Sequence, residues 1–402
     1  MTLLHIVSEQ TMQNVLPALA LRPERLIQVR SGGERFASAS RNIEAALREA
    51  GLEPEFLDYP LASEFPDLEQ TRKAMKYWLP LFPNAVVNIT GGTKLMSAGA
   101  LLGAREFPGA SILYCDTDQR RFVSLAERTL LPPMPAFDEA AGELTLRIVM
   151  AAHGQRPDQW KFDTADDRLL EFGRTAFELR TTHAKQLREF GYSKQVRDFF
   201  RSENGHVPKA AAKLNALLAA DVRQAFRGEL PDAVRQFFDA ALAAGVLARE
   251  PSGAIHLAAP PQGHKSQSHV NRMANMLDGS WLELAVLDRV RRSPHFADAH
   301  WSVEPVSPAQ APEAASFGET DIIALRLPQG VLQLISCKTE VRGPLEHLEA
   351  LRERATQLGG RFARATLALL TATNDAAQNL RRWGRLLGVE ILIGPEIDRL
   401  AD

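Results

Sequence analysis

The chain has 402 residues, more than a single hydrophobic core usually supports, so its length favours two or three domains. Hydrophobic residues make up 45% of the sequence and charged residues 24%, a composition that excludes a largely disordered chain. The formal net charge is -2, so a nucleic-acid ligand would have to bind a local basic surface.

Residues 1–150 begin with the pattern of an α/β domain, because short apolar β-rich runs alternate with helical patterns from Thr2 to about Leu125. This alternation predicts βαβ units and a Rossmann-like parallel sheet whose ligands bind at the carboxyl ends of the strands. The predicted strands are Leu3–Val7, Leu26–Val29, Ala85–Ile89 and Ile112–Cys115.

Residues 151–262 are predicted to form a helical, winged-helix-like connecting region. The stretch from Arg168 to Leu257 is rich in Ala, Leu and Arg at helical spacing, and it closes with GVLAREPSGAIHL, two short β-like runs around a Pro-Ser-Gly turn. The polar segment Ala259–His269 is predicted to be a linker or a loop that contacts a ligand, and its residues Gln262–His269 could serve as a hinge.

Residues 263–402 return to a mixed α/β pattern in the order αβββαβ. The predicted elements are helix Trp281–Arg291, strands Trp301–Val303, Asp321–Leu325 and Val331–Ser336, helix Pro344–Gln357 and strand Ala365–Leu370.

Cysteine usage and the lack of long apolar segments bear on the cellular compartment. Cys115 and Cys337 each lie in an apolar run typical of a buried strand, which suits a reducing environment. The N-terminal MTLLHIVSEQ lacks the features of a signal peptide, and the sequence has no run of 18 apolar residues. We therefore expect a cytoplasmic protein that has no membrane partner.

The first candidate site is the segment AVVNITGGTKLMSAGA, in which a predicted strand runs into Thr-Gly-Gly-Thr-Lys and then a helix. Glycines allow a sharp turn and a close backbone approach to a ligand, while helix N-terminal amides and a lysine favour an anion such as phosphate. The spacing is not that of a Walker A loop, and a plain strand-to-helix turn with a solvated lysine is the alternative. The residues concerned are Thr90, Gly91, Gly92, Thr93 and Lys94.

A polar cluster follows the first predicted strand, where a doubly wound sheet places its ligand crevice. Ser8, Gln10 and Thr11 offer hydroxyls and an amide suited to ribose and base edges, although such a run is also typical of a helix N-cap. Asp116 and Thr117 stand at a third strand end, as ligand contacts or as plain loop residues.

Together, IVSEQTMQNV and VNITGGTKLMSAGA resemble the CARF domain, the CRISPR-associated Rossmann-like sensor of cyclic oligoadenylates. The resemblance covers about 130 residues. It implies a homodimer that binds one cyclic oligoadenylate, expected to be cyclic tetra-adenylate, across the two-fold axis. A ring of identical nucleotides suits two identical subunits. It further implies that Ser8, Gln10 and Thr11 contact the ring, and that Thr90, Gly91, Gly92, Thr93 and Lys94 hold its phosphates.

The second candidate site is GETDIIALRLPQGVLQLISCKTE, where an acid opens one predicted strand and a lysine ends the next. The intervening PQG turn predicts a hairpin that brings Asp321 and Lys338 to the same end. Cleavage of a phosphodiester with a metal ion requires oxygen ligands for the cation and a positive group or base beside them. A surface ion pair is the alternative interpretation.

Glu283 projects from the apolar helix GSWLELAVLDRV, where a carboxylate either faces solvent or reaches a neighbouring metal ion. This helix, Asp321, the short hairpin and Cys337-Lys338-Thr339 resemble the PD-(D/E)xK restriction-endonuclease-like fold over residues 270–396. With the CARF-like N-terminus, the match is to the CRISPR ancillary nucleases. It implies Mg²⁺ or Mn²⁺ as cofactor, bound by Asp321 and Glu283.

The sequence departs from that family at Ser336, because the D/E-x-K motif has a carboxylate two residues before its lysine. A hydroxyl attracts Mg²⁺ or Mn²⁺ much more weakly, so water, Glu283, Glu319 or Glu340 would supply the missing ligand, or activity would be lost. The predicted catalytic set is therefore Glu283, Asp321, Lys338 and Ser336, with Gln357 as a candidate for orienting ligand or substrate.

The resulting hypothesis is an endonuclease that cuts DNA or RNA when cyclic tetra-adenylate closes its two lobes. One alternative is a nuclease-inactive regulator that binds nucleic acid under oligoadenylate control, and another is a sensor that degrades its own ligand. Candidate residues for gripping the substrate strands are Arg289, Arg291, Arg292 and Arg342, although any one of them could belong to a solvated face.

Overall fold

Two six-stranded sheets, one in each half of the chain, form the framework of the described part of the protein. None of the described helices is long and apolar enough to cross a membrane. The predicted hinge Gln262–His269 and Arg342 lie outside the described residues. The structure is a computed structural model and describes residues 1–125, 131–156, 160–184, 187, 232–249, 251, 255–258, 272–273, 275–304, 319–327, 330–341 and 343–401.

The first sheet has the order β3-β2-β1-β4-β5-β6, in which the first five strands are parallel and β6 is antiparallel. The predicted Rossmann-like domain is confirmed. The sequence pattern does not predict the edge strands β3 and β6, because they are largely exposed and therefore lack an apolar run. The strands are β1 (Thr2–Ile6), β2 (Arg25–Arg30), β3 (Glu55–Pro60), β4 (Val86–Asn88), β5 (Ser111–Asp116) and β6 (Arg121–Ser124).

Four helices connect the strands of this sheet: α1 (Met12–Leu21), α2 (Glu34–Glu49), α3 (Leu68–Trp78) and α4 (Lys94–Arg105). The strand order reverses between β1 and β4, since the chain continues from β1 outward through β2 and β3 and then returns to the other side of β1. Such a reversal opens a crevice at the carboxyl ends of the two strands, and the loops that follow β1 and β4 border it.

Two short helices, α5 (Phe137–Gly142) and α6 (Leu146–Ala152), lie between the two sheets. Buried residues of this segment, such as Leu144, belong to one continuous apolar core with Leu16 of α1 and with Leu325 and Leu332 of the second sheet. The backbone amide of Leu146 also donates to the Asp298 carboxylate at 3.0 Å. The two domains therefore share a core.

The second sheet has the order β14-β13-β12-β11-β10-β7. The predicted αβββαβ order is present, and a further helix and strand follow it. Edge strand β7 lies within the segment assigned from sequence to the connecting region, yet it pairs with β10. The strands are β7 (Lys161–Asp163), β10 (Phe296–Glu304), β11 (Thr320–Arg326), β12 (Val331–Lys338), β13 (Ala363–Leu369) and β14 (Val389–Ile393).

Helices pack on both faces of the second sheet. Buried residues of α7 and α9 join the core that contains Ile335 of β12, while buried residues of α10 join the opposite core, which contains Leu334. Strands bury side chains alternately on their two faces, so a single strand serves both cores. The helices are α7 (Asp167–Thr182), α9 (Trp281–Arg292), α10 (Pro344–Gly359) and α11 (Asn374–Leu387).

The described part of the connecting region contains helix α8 (Asp232–Ala243) and strands β8 (Leu247–Arg249) and β9 (Ile255–Leu257). The two strands pair antiparallel, which confirms the predicted hairpin. Residues 188–231, which carry most of the predicted helical pattern, lie outside the described residues.

Replacement of Gly173 by alanine is expected to destabilise the second domain. A Cβ at Gly173 in α7 would lie 2.6 Å from the Leu284 Cβ and 2.7 Å from the Ala285 backbone nitrogen, so helix α9 would have to move. We expect a loss of about 1–3 kcal/mol and a lower melting temperature by circular dichroism. Gly142→Ala is the control, since its Cβ would meet no atom within 4 Å. Equal melting temperatures for the two variants would contradict the packing described.

Candidate ligand-binding and catalytic sites

The loop between β4 and α4 packs against the end of β1 at the crevice. A Cβ at Gly91 would lie 2.0 Å from the Ile6 carbonyl oxygen, and one at Gly92 would lie 2.4 Å from the Ile6 Cγ2. Gly92 also has a φ of 75°, a backbone conformation that residues with a side chain rarely adopt. Gly91 is therefore required by the close approach of two backbones, and Gly92 by its positive φ and its contact with the Ile6 side chain.

Hydroxyl groups of this loop fix its shape. Thr90 Oγ1 donates to Asn88 Oδ1 at 2.5 Å and accepts from the Cys115 amide at 2.7 Å. Thr93 Oγ1 caps α4 by accepting from the Met96 amide at 3.2 Å. Lys94, the first residue of α4, is exposed at the helix N-terminus, where the helix dipole also favours an anion.

The polar residues after β1 have different surroundings. Ser8 Oγ is buried without a hydrogen-bond partner among the described residues, and Gln10 Oε1 accepts from Gln13 Nε2 at 2.9 Å. Thr11 is only 2% exposed, and its hydroxyl donates to the Ala152 carbonyl at the end of α6 at 2.6 Å. The structure thus places Ser8 and Gln10 at the strand end and turns the Thr11 hydroxyl toward α6.

The third strand end, after β5, forms a turn. Asp116 Oδ1 accepts from the Gln119 amide at 3.0 Å, and its other oxygen lies 3.6 Å from Arg121 Nε. Both contacts lie within the connection from β5 to β6, so the Asp116 carboxylate stabilises that turn.

The second site lies where β11 begins and β12 ends, as the hairpin pattern predicts. Asp321 Oδ2 accepts three hydrogen bonds, from the Cys337 amide at 2.6 Å, from Ser336 Oγ at 3.1 Å and from Lys338 Nζ at 3.2 Å. Asp321 Oδ1 accepts none from the described residues. The carboxylate is therefore held through one oxygen while the other remains available.

Burial and charge act in opposite directions on Lys338. Burial alone would lower its pKa, but the Asp321 charge and hydrogen bond raise it above the ordinary value. Lys338 therefore stays an ammonium at neutral pH and keeps a positive charge at the site.

Glu283 lies in the first turn of α9 and faces this site. Its oxygens accept from Ser280 Oγ at 3.2 Å and from Trp301 Nε1 at 2.8 Å. Burial, and then the negative charge of Asp321, raise the pKa of Glu283 to about 7, although the Trp301 hydrogen bond opposes the shift. A buried carboxylate whose pKa is raised by a neighbouring negative charge is the electrostatic condition that a bound cation would relieve.

The sequence interpretation missed two residues of this site, both on α10. His347 Nε2 lies 3.3 Å from Ser336 Oγ, and Arg354 Nη1 donates to the Glu319 carbonyl at 2.6 Å. They are two helical turns apart and share one face of α10, but this spacing does not by itself show that this face meets the hairpin. Gln357, proposed from sequence on the same helix, is exposed and donates to Glu353 at 3.1 Å, so the structure does not bring it to the site.

Glu319 and Glu340, two candidate substitutes for the missing motif acid, are not part of the hydrogen-bonded group around Asp321. The Glu319 side chain is exposed and accepts from the Ser302 hydroxyl. Glu340 is exposed and lies beyond the end of β12.

Three of the four arginines proposed to grip nucleic acid lie within the described residues, and each has a partner within the protein. Arg289 donates to Asp398 at 2.6 Å, Arg291 to the Ala165 carbonyl at 3.0 Å, and Arg292 to Asp288.

No group of three or more His, Cys, Asp or Glu side chains within the described ranges is arranged to hold a metal ion. The site offers instead the carboxylates of Asp321 and Glu283. A Mg²⁺ ion commonly binds one or two carboxylates and completes its octahedral shell with water and substrate phosphate, so this pair fits a divalent cation that shares its shell with substrate.

These features define a two-domain α/β protein, with a Rossmann-like domain joined to a second α/β domain whose hairpin carries an Asp-Lys pair. Residues 2–130 match the family model described as the Card1 CARF domain, so the N-terminal domain is a CARF domain. None of the curated proteins matches the chain.

Solved structures share the fold over the whole chain. Can2 from Sulfobacillus thermosulfidooxidans, in complex with cyclic tetra-adenylate, is 18% identical with a TM-score of 0.65 over 99% of this chain and 97% of that one. Protein VC1899 from Vibrio cholerae is 16% identical with a TM-score of 0.70 over 100% and 96%. A type III CRISPR defence DNA nuclease activated by cyclic oligoadenylate is 18% identical with a TM-score of 0.51 over 92% of this chain and 46% of that one.

The raised pKa of Glu283 predicts a pH-dependent stability in metal-free buffer. The folded protein binds a proton at Glu283 that the unfolded chain releases above its ordinary pKa of 4.5, so stability is expected to fall as pH rises from 4.5 to about 7. The contribution is at most about 3 kcal/mol. Urea unfolding with a chelator should show that Glu283→Gln removes much of this dependence. An unchanged pH profile in that variant would assign the dependence to other groups.

Proposed function

We propose that this chain is a nuclease of type III CRISPR antiviral defence that is activated by a cyclic oligoadenylate, in the first place cyclic tetra-adenylate, and that cleaves DNA or RNA with Mg²⁺ or Mn²⁺. The observation that carries the proposal is the Asp321–Lys338 pair, 3.2 Å apart at one end of a sheet that follows a CARF domain. The proposal thus has two parts, ligand sensing and nucleic-acid cleavage, and each part has a candidate site of suitable chemistry.

Support for the sensing half comes from the crevice between β1 and β4. The two loops there combine an exposed lysine, a helix N-terminus and backbone held close by Gly91 and Gly92, which suits the phosphates of a nucleotide. Ser8 and Gln10 offer polar groups on the other side. We propose that two copies of the chain bind one ring across a two-fold axis, because a cyclic tetra-adenylate can present equivalent groups to identical subunits.

In the proposed nuclease site of the second domain, each side chain has a role. Asp321 Oδ1 and Glu283 would hold the cation, which when bound would polarise the phosphate and activate water. The Lys338 ammonium, kept charged by Asp321, would bind the scissile phosphate and stabilise negative charge on it. Ser336 is uncharged, so it would contribute to the site only through the hydrogen bonds of its hydroxyl.

Activation requires that the ligand bind one arrangement of the protein more tightly than another. A ligand shifts a conformational equilibrium only by its differential affinity for the two states, so we propose an open ligand-free form and a closed bound form. Helices α5 and α6 share an apolar core with both sheets and are the physical connection through which such a change would pass.

A second candidate function is a nuclease-inactive regulator that binds nucleic acid under ligand control. Ser336 favours it, because the hairpin lacks the motif carboxylate and the cation would have only two acidic ligands among the described residues. The regulator predicts ligand binding without cleavage, whereas the nuclease predicts both.

Sensing is tested by titrating cyclic tetra-adenylate into the protein in a calorimeter. We expect the wild type to bind one ring per two chains and Lys94→Ala to bind about tenfold more weakly, since it loses a charged contact to phosphate. Lys73→Ala is the matched control, because Lys73 is an exposed lysine of α3. Equal affinities for Lys94→Ala and wild type would remove Lys94 from the site, and no binding by the wild type would refute the sensing function.

Cleavage is tested by incubating supercoiled plasmid, single-stranded DNA and RNA with the protein, with and without cyclic tetra-adenylate and with Mn²⁺ or Mg²⁺. We expect cutting only when ligand and metal are both present, and a loss of roughly 100-fold or more in Lys338→Ala. The Lys73→Ala control should cut like the wild type. Ligand binding with no cleavage of any substrate would leave the regulator as the function.

A further inference from the structure

We infer that His347 is a positioning residue of the catalytic site: through the Ser336 hydroxyl it fixes the orientation in which Asp321 presents its free oxygen to a divalent cation. The inference rests on the proposed function, because it assigns a role within the metal-dependent site. His347 lies in the first part of α10, which begins at Pro344 directly after Gly343, whose φ is 65°.

The geometry determines which group donates to which. The Ser336 hydroxyl has one proton, and the ionised Asp321 carboxylate can only accept, so the 3.1 Å contact places that proton between Ser336 and Asp321. His347 Nε2, 3.3 Å from the same hydroxyl oxygen, must then carry a proton and donate to it. The resulting chain runs from the imidazole through the hydroxyl to Asp321 Oδ2.

This chain consists of groups that solvent reaches poorly. Ser336 is 7% exposed and the Asp321 side chain 14% exposed, while His347 is half-buried. Burial, together with the nearby Lys338 charge, lowers the pKa of His347, so the ring is neutral at pH 7 and its single ring proton can occupy Nε2. A directed hydroxyl adds a third donor to Asp321 Oδ2 beside the Cys337 amide and Lys338.

Three donors on one oxygen restrict rotation of the carboxylate and leave Oδ1 without a donor among the described residues. Groups that orient a metal ligand in this way raise metal affinity without touching the ion. At position 336 a carboxylate would act differently, because it would add a third acidic group to the site and could bind the cation itself. His347 should therefore matter for metal binding while position 336 is serine, and lose its importance when position 336 is an acid.

The test measures Mn²⁺ binding to the full chain by the loss of the free-ion signal in electron paramagnetic resonance, with no nucleic acid present. We expect Ser336→Ala and His347→Ala each to bind Mn²⁺ about tenfold more weakly, and the double variant to bind no more weakly than either. His347→Gln should retain most of the affinity, because a glutamine amide can donate from a position near that of Nε2.

The decisive comparison places an acid at position 336. Ser336→Glu should bind Mn²⁺ with the same affinity whether residue 347 is histidine or alanine, because the new carboxylate replaces the hydrogen-bond chain. Gln357→Ala is the matched control on the same helix and should bind like the wild type. Melting temperatures by circular dichroism establish that each variant is folded, and if His347→Ala is not folded, Ser336→Ala and His347→Gln decide.

Wild-type affinity in folded His347→Ala, or in Ser336→Ala, would overturn the inference and leave the proposed function intact. A tenfold loss on His347→Ala that persists beside Ser336→Glu would also overturn it, because His347 would then act independently of the hydroxyl. A wild-type protein that binds no Mn²⁺ would overturn both the inference and the metal-dependent function.

Discussion

The Asp321 carboxylate organises the second domain's candidate site through a single oxygen. Three donors from β12 converge on Oδ2, and they come from a backbone amide, a hydroxyl and an ammonium. Because β11 and β12 are antiparallel neighbours, these contacts also hold the start of one strand to the end of the next. The remaining oxygen and the retained charge of Lys338 follow from this arrangement, and the Asp321 charge adds to the burial that raises the pKa of Glu283.

A comparable constraint acts at the other end of the molecule. Gly91 lies so close to the Ile6 carbonyl that any side chain would separate β1 from the β4–α4 loop. The crevice at the reversal of strand order is therefore formed by backbone, and its polar side chains are arranged around a fixed surface. Helices α5 and α6 join this domain to the second one through a common apolar core, so a change at one crevice has a continuous packed route to the other sheet.

The role of Ser336, which departs from the motif, becomes clear only from the residues that surround it in the structure. Taken from the sequence, it removes a negative charge from a proposed metal site. In the structure it is a buried hydroxyl between Asp321 and His347, and so it has a donor function that a carboxylate could not perform. The candidate site of this chain therefore includes a residue of helix α10, which the D/E-x-K pattern does not contain.

The sequence by itself determined the two α/β domains, the meeting of Asp321 with Lys338 and the glycine turn after β4. These depend on local periodicity, strand alternation and the conformational freedom of glycine, which are encoded over a few neighbouring residues. Tertiary structure alone decided that β7 joins the second sheet, that the Thr11 hydroxyl turns toward α6, and that His347 rather than Gln357 reaches the site. Those outcomes depend on how helices and strands distant in sequence pack against one another, and no local pattern contains that information.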